Sequence, residues 1–436
     1  MILALTSYHY IIIFSLTIII SYFFNIYAKK TGIPSVLMLI GLGVLINYVL
    51  SSFVGVEKPN LFPILKVIGV FGLILIVLEA ALDLSLVKEK ISLIIKSTLV
   101  ALLGLVGTAY FSAEALVLFV DGMDIITGLI YTIPLSILSS AIILPSVEDL
   151  NEDKKEFMIY ESTISDILGI IAFYAVLSLV GADSNEGVYG EVFGNLIFTV
   201  VFSIIISYLL VYIFQNIAGH VKLFLLIAIL LLLYAVGKMF HLSSLVMILI
   251  FGVILNNYKL FFSGGLASLL NIDRVEHILN DMKVITAESA FVVRTFFFII
   301  FGWSITLSDL FSLKVVGIGV CILVIIYLIR ALFLFLFQGK DIFPQLFLAP
   351  RGLITILLFF AIPEETRNAN EEIEGVLLFI ILTTCLIMSW ALVIQKNKER
   401  LEQEVLDQVK KNNIEKDEGD IENPPSQLDS NQKAEE

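Results

Sequence analysis

The chain is a succession of long apolar runs separated by short polar breaks. Thirteen such runs can be drawn, at roughly 8–28, 33–53, 62–83, 91–120, 124–147, 157–181, 190–216, 221–239, 242–262, 285–308, 313–338, 342–363 and 374–396. About 20 apolar residues at about 1.5 Å rise each cover a hydrocarbon core of about 30 Å, so a run of this length crosses a bilayer as one helix. The pattern predicts an all-α polytopic membrane protein, with its two termini on opposite faces because the count is odd.

Two runs are interrupted at their middles. The fifth carries Ile133-Pro134-Leu135-Ser136-Ile137-Leu138-Ser139-Ser140-Ala141, and the twelfth carries Leu348-Ala349-Pro350-Arg351-Gly352-Leu353. Proline removes a backbone donor and crowds the preceding turn, and glycine lowers the cost of unwinding. Interrupted runs placed seven apart point to two inverted repeats whose broken helices cross near the midplane. Runs one to six and eight to thirteen form the repeats, and run seven joins them.

The sixth run places two carboxylates, Glu161 and Asp166, in an otherwise apolar stretch, with Ser162 and Ser165 beside them. Asp166 lies about 14 Å beyond Phe157 at helical rise, close to the midplane. A carboxylate there costs at least a few kcal/mol and is tolerated where it faces a bundle interior or a wet cavity. Ser162, Ser165, Asp166 and Gly169 fall at i, i+3, i+4 and i+7, one small and polar stripe of a helix.

Composition agrees with the pattern: the 436 residues are 58% hydrophobic and 15% charged, with a mean hydropathy of +0.98, against about 25% charged for a soluble domain. The first run lacks a basic leading segment and is too long for a signal core, so it is expected to remain in the mature protein. Cys321 and Cys385 both sit in apolar runs and suggest neither a disulfide framework nor a zinc site. Much of the net charge of −13 belongs to the tail, where 397–436 holds 12 acids and 6 bases. Residues 1–396 therefore read as the transmembrane domain. Residues 397–436 read as a charged tail: a short amphipathic helix over Lys398–Lys411, then disorder from Asn412 past Pro424-Pro425.

Lysine and arginine set the orientation. Lys29, Lys30, Lys88, Lys90, Lys96, Lys154, Lys155, Lys222, Lys259, Arg274, Lys283, Arg330 and Lys340 fall in one set of loops, and the alternate set holds few. The first set is cytoplasmic by this rule, with the N-terminus outside and the tail inside. Runs six, ten and twelve then all enter from the cytoplasm, and Asp166, Arg294 and Arg351 meet at similar depth. Glu79 and Asp83 read as interfacial, as do His9, His220, His241 and His277, with His277 the one candidate pH sensor.

Five phrases in order resemble the monovalent cation:proton antiporter superfamily, nearest its bacterial NhaP-like sodium/proton exchanger branch. They are Gly32-Ile33-Pro34-Ser35-Val36 with Gly41-Leu42-Gly43, then Leu78-Glu79-Ala80-Ala81-Leu82-Asp83-Leu84, Ser139-Ser140-Ala141-Ile142, Glu161-Ser162 with Ser165-Asp166, and Ala349-Pro350-Arg351-Gly352-Leu353. The resemblance implies that Asp166 alternately takes a proton or Na⁺, with Ser162 and the broken backbone near Ser139 and Ser140 as further oxygen ligands. It implies that Glu161 positions the site, that Arg294 is its ion-pair partner, and that Arg351 compensates helix-end dipoles at the second break. It also implies a homodimer and no cofactor beyond the transported ions. Two departures stand out: Ser165 replaces the Asn or Asp before the key Asp, and Ser139-Ser140 stands where that branch has Thr-Asp-Pro.

The chemistry expected is Na⁺ (or Li⁺) exchanged for H⁺ by alternating access in the plasma membrane. One carboxylate serves both ions in turn, one proton moves per Na⁺, and no net charge is moved. The sister potassium/proton branch is the alternative, although the tail is too short for the nucleotide-binding domain usual there. A membrane-embedded enzyme using Glu161 and Asp166 lacks any metal or nucleophile motif. A passive channel would lack obligatory counterflow.

Overall fold

Several helices start on a side chain that accepts the first free amides. Asp124 accepts from the amides of Ile126 and Thr127 at 3.1 and 3.3 Å. The Thr127 hydroxyl, then those amides, hold its carboxyl below the usual range. Asn151 accepts from Lys154 N at 3.0 Å and Ser312 from Val315 N at 3.2 Å. The computed structural model describes residues 7–49, 62–148, 150–179, 188–215, 222–239, 244–263, 270–304, 312–363, 366–367 and 372–422. Lys58, His220, His241 and the tail from residue 423 lie outside the described residues.

The described residues form helices on the expected runs: α1 (Ser7–Thr31), α2 (Ser35–Val49), α3 (Phe62–Asp83), α4 (Ile91–Phe119), α5 (Ile125–Ser136), α6 (Ser140–Ser146), α7 (Glu152–Leu177), α8 (Val188–Phe214), α9 (Lys222–Met239), α10 (Ser244–Asn256), α11 (Tyr258–Phe261), α12 (Ile272–Ser304), α13 (Leu313–Gln338), α14 (Leu353–Ala361) and α15 (Glu372–Glu422). Among the described residues, 7 helical segments are long and apolar enough to cross a membrane; shorter apolar helices, such as Ser244–Asn256, fill other expected runs. Length and apolarity thus support a multi-pass protein but leave the count of 13 unfixed.

The helices sort into two bundles. In one, α2 and α3 pack on α12, α10 packs on α3, and α8 and α9 join through α10. α2 and α12 approach backbone to backbone: a Cβ on Gly43 would strike Ile299 O, and one on Gly302 would strike Ile40 O. Small residues permit such approach where lipid supplies no hydrophobic drive. In the other bundle α4 packs on α5, α7 and α13, and α13 on α15. α13 shows how each bundle meets lipid. Val320, Val324, Leu328, Leu332 and Leu336 form an exposed apolar stripe at i+4 spacing, while Ile318, Ile322, Ile326 and Arg330 form the buried one.

Two expectations change here. Arg330, counted among loop cations, lies buried within α13. α15 also continues unbroken through Lys398–Lys411 to Glu422, beyond Asn412 where disorder was expected.

Candidate functional site

The two interrupted runs break where the sequence places proline and glycine. α5 stops at Ser136 and α6 starts at Ser140, leaving Ile137–Ser139 non-helical; the second segment, expected to be helical on both sides of its break, is non-helical from Gly339 through Gly352, with turns over 343–347, and α14 begins at Leu353. The breaks touch: Ser139 N–H donates to Pro350 O at 3.0 Å. A Cβ on Gly352 would run into the Ser139 side chain, and one on Gly169 of α7 into Ile137. Residues without a side chain therefore let three segments close on one point.

α7 supplies the polar groups that the break needs. Leu138 N–H donates to Ser165 Oγ at 3.0 Å, and Ser140 N–H donates to Asp166 Oδ2 at 3.2 Å. Unwound amides have lost their helical acceptors, and these two oxygens replace them. Asp166 is only 1% exposed, and its Oδ1 has no hydrogen-bond partner among the described residues. One free carboxylate oxygen in a dry interior is costly to leave unmatched. It can accept a proton or ligate a hard cation. Ser162, one turn before Asp166, is fully buried and its hydroxyl donates to Ile159 O at 3.3 Å. Ser139 and Ser140 are buried as well.

The ion pairs differ from the expected ones. Glu161 is held by Arg330, not by Arg294: Nη1–Oε1 is 2.5 Å and Nη2–Oε2 is 3.0 Å. Arg330 further donates from Nε and Nη2 to Gln345 O at 3.1 and 2.9 Å. Arg294 instead holds Glu79, with Nη1–Oε2 at 3.1 Å and Nη2–Oε1 at 3.2 Å. Glu79, one turn from the end of α3, is thus paired across two helices. Arg330 was missed because it was counted with loop cations, yet it lies 8 residues inside α13. That depth was the available signal. Arg351, 2% exposed, donates to Leu135 O at 2.6 Å and Ala349 O at 2.8 Å, while its amide donates to Thr384 Oγ1 at 3.1 Å. A fixed cation sits on carbonyls that the breaks leave free.

A cavity of about 840 Å³ opens between the bundles. Its inner wall is made by Ser140, Ala141 and Ile142 on one side and Glu79, Arg294 and Thr295 on the other; Gly32, Asp83, Glu148, Lys155 and Lys396 line it toward the ends of their helices. Asp166 lies behind Ser140, whose amide it holds. Both bundles meet again away from this cavity, where a Cβ on Gly69 would lie 2.7 Å from Leu357 Cδ2.

Comparison with known proteins agrees with this architecture. The family model "Sodium/hydrogen exchanger, transmembrane" matches residues 13–394. No curated protein matches the chain in sequence. Among solved structures, the sodium proton antiporter MjNhaP1 from Methanocaldococcus jannaschii at pH 8 is similar with a TM-score of 0.64 at 20% identity, covering 87% of this chain and 98% of that one. An electron-microscopy structure of the same antiporter gives a TM-score of 0.63 at 18% identity, covering 90% and 98%. At these identities the likeness is one of fold.

Proposed function

Because the chain belongs to the sodium/hydrogen exchanger family, we propose that it exchanges Na⁺ for H⁺ across the plasma membrane through alternate occupancy of Asp166. The observation that carries this reading is the buried carboxylate where the broken α5–α6 pair meets the non-helical segment before α14, with one oxygen on the Ser140 amide and the other unmatched. A proton and a hard cation compete for that oxygen, and the competition is the coupling. Ser162, Ser165 and the backbone around Ser139 and Ser140 supply neighbouring oxygens. Glu161 is neutralised by Arg330, so Asp166 is the group left to titrate and one proton moves for each Na⁺.

Transport then carries no net charge. The cavity lies on the face to which the lysine and arginine bias assigns the cytoplasm, and a shift of one bundle against the other moves Asp166 to the opposite face. The N-terminus lies outside. The homodimer implied by the resemblance belongs to the same proposal and is read from the mass of the solubilised protein.

Proteoliposomes with fixed ion gradients and imposed membrane potential test the stoichiometry. The expected result is a Na⁺-driven proton flux that stays level as the potential is varied. A flux that climbs steeply with voltage contradicts one-for-one exchange. Replacing Na⁺ by Li⁺ and K⁺ in the same vesicles separates this reading from potassium exchange, for which K⁺ alone would drive the flux.

A further inference from the structure

The wall of the cavity opposite Ser140 carries an ion pair that the exchange chemistry leaves unused. Glu79 of α3 and Arg294 of α12 meet through two parallel hydrogen bonds of 3.1 and 3.2 Å, and about a fifth of each side chain remains exposed, 21% for Arg294 and 19% for Glu79. Thr295, next along α12, donates its hydroxyl hydrogen to Phe291 O at 2.9 Å. The hydrogen in its 2.6 Å contact with Ser21 therefore belongs to Ser21. Both hydroxyl oxygens keep lone pairs and add no positive charge. Of the basic residues that line the cavity, Lys155 and Lys396 lie near helix ends, Lys155 four residues into α7 and Lys396 at the end of the apolar stretch of α15. Arg294 is the one set deep, on the same wall as Thr295.

We infer that Glu79 sets the charge of the cation's passage: by cancelling Arg294 it keeps the cavity from repelling the ion on its way to Asp166, and so fixes the concentration at which the ion is captured. This rests on the exchange reading above. Glu79 is a positioning residue in this role, acting through Arg294 and not as a ligand. Low-dielectric walls focus the field of an unpaired charge into a cleft. At an effective dielectric of about 20, a unit charge about 10 Å away changes cation occupancy on the order of tenfold. Losing the carboxylate alone leaves the guanidinium with only Asp83, one turn further along α3 on the cavity lining, as a facing negative charge, whereas losing both groups removes the source of the field.

The test uses the full chain in proteoliposomes, with two readouts. In Na⁺-driven proton flux, Glu79→Gln raises the half-saturating Na⁺ concentration about tenfold with the maximal rate kept, Arg294→Gln lowers it, and the double variant returns it to the parent value. In a Leu144→Cys background, on the cavity wall, the ratio of modification rates by cationic and anionic methanethiosulfonates falls about tenfold with Glu79→Gln and recovers in the double variant. The single variants move in opposite directions, so either one suffices if the other does not fold. Half-saturation and reagent ratio both unchanged in Glu79→Gln would overturn the inference. So would a double variant as impaired as Glu79→Gln, which would make Glu79 a ligand. No Na⁺-dependent flux in the parent, with a reagent ratio that still responds to Glu79→Gln, would overturn the exchange reading and leave the charge assignment standing.

Discussion

At the scale of single residues the account turns on which charges cancel. Glu161 and Arg330 are both buried and share two hydrogen bonds, so removing one strands the other in a low dielectric. Arg330→Met is expected to cost about 3–5 kcal/mol of thermal stability. A double-mutant cycle of Glu161→Gln with Arg330→Met should return a coupling of roughly 1–3 kcal/mol, and the same cycle with Arg294 a coupling below about 0.5 kcal/mol. A larger coupling to Arg294 would reverse the pairing. The burial of Asp166 was legible in the sequence, because a carboxylate within an apolar run is tolerated where it is turned away from lipid. The partner of Glu161 was not: several arginines lie at workable depths, and depth alone does not say which helix faces which.

At the scale of elements, the break after Pro134 and the start of α14 just past Pro350 and Gly352 were legible to within a few residues, while the non-helical stretch 339–347 ahead of them was not. The contact between the two breaks was not legible either, since no local pattern reports that Ser139 N–H meets Pro350 O. Gly352 marks the point of closest approach, because any side chain there meets Ser139. Gly352→Ala is expected to cost about 1–3 kcal/mol by overpacking and to slow exchange. Adding Ser139→Gly should recover part of both losses, as read by melting temperature and vesicle flux. Failure of the second substitution to relieve the first would mean that the two segments do not press on each other. α15 teaches the opposite lesson: its polar tail was read as disorder from charge content, while the absence of a breaker before Gly419 allowed the helix to continue to Glu422.

At the scale of the whole molecule, two bundles enclose a cavity whose inner end is formed by the segment that holds Asp166. The all-helical class and the multi-pass character were legible from the apolar runs. The division into bundles was not, because nearly every face of these helices is apolar and lipid is as good a neighbour to leucine as another helix. The proposed exchange requires that one carboxylate be reached by both ions and never by both together. Na⁺-driven proton flux in proteoliposomes, compared between the parent and Asp166→Asn, tests that requirement most directly. The account predicts that the variant folds, keeps its helical content and shows only the proton leak of protein-free vesicles; coupled exchange persisting in Asp166→Asn would contradict it.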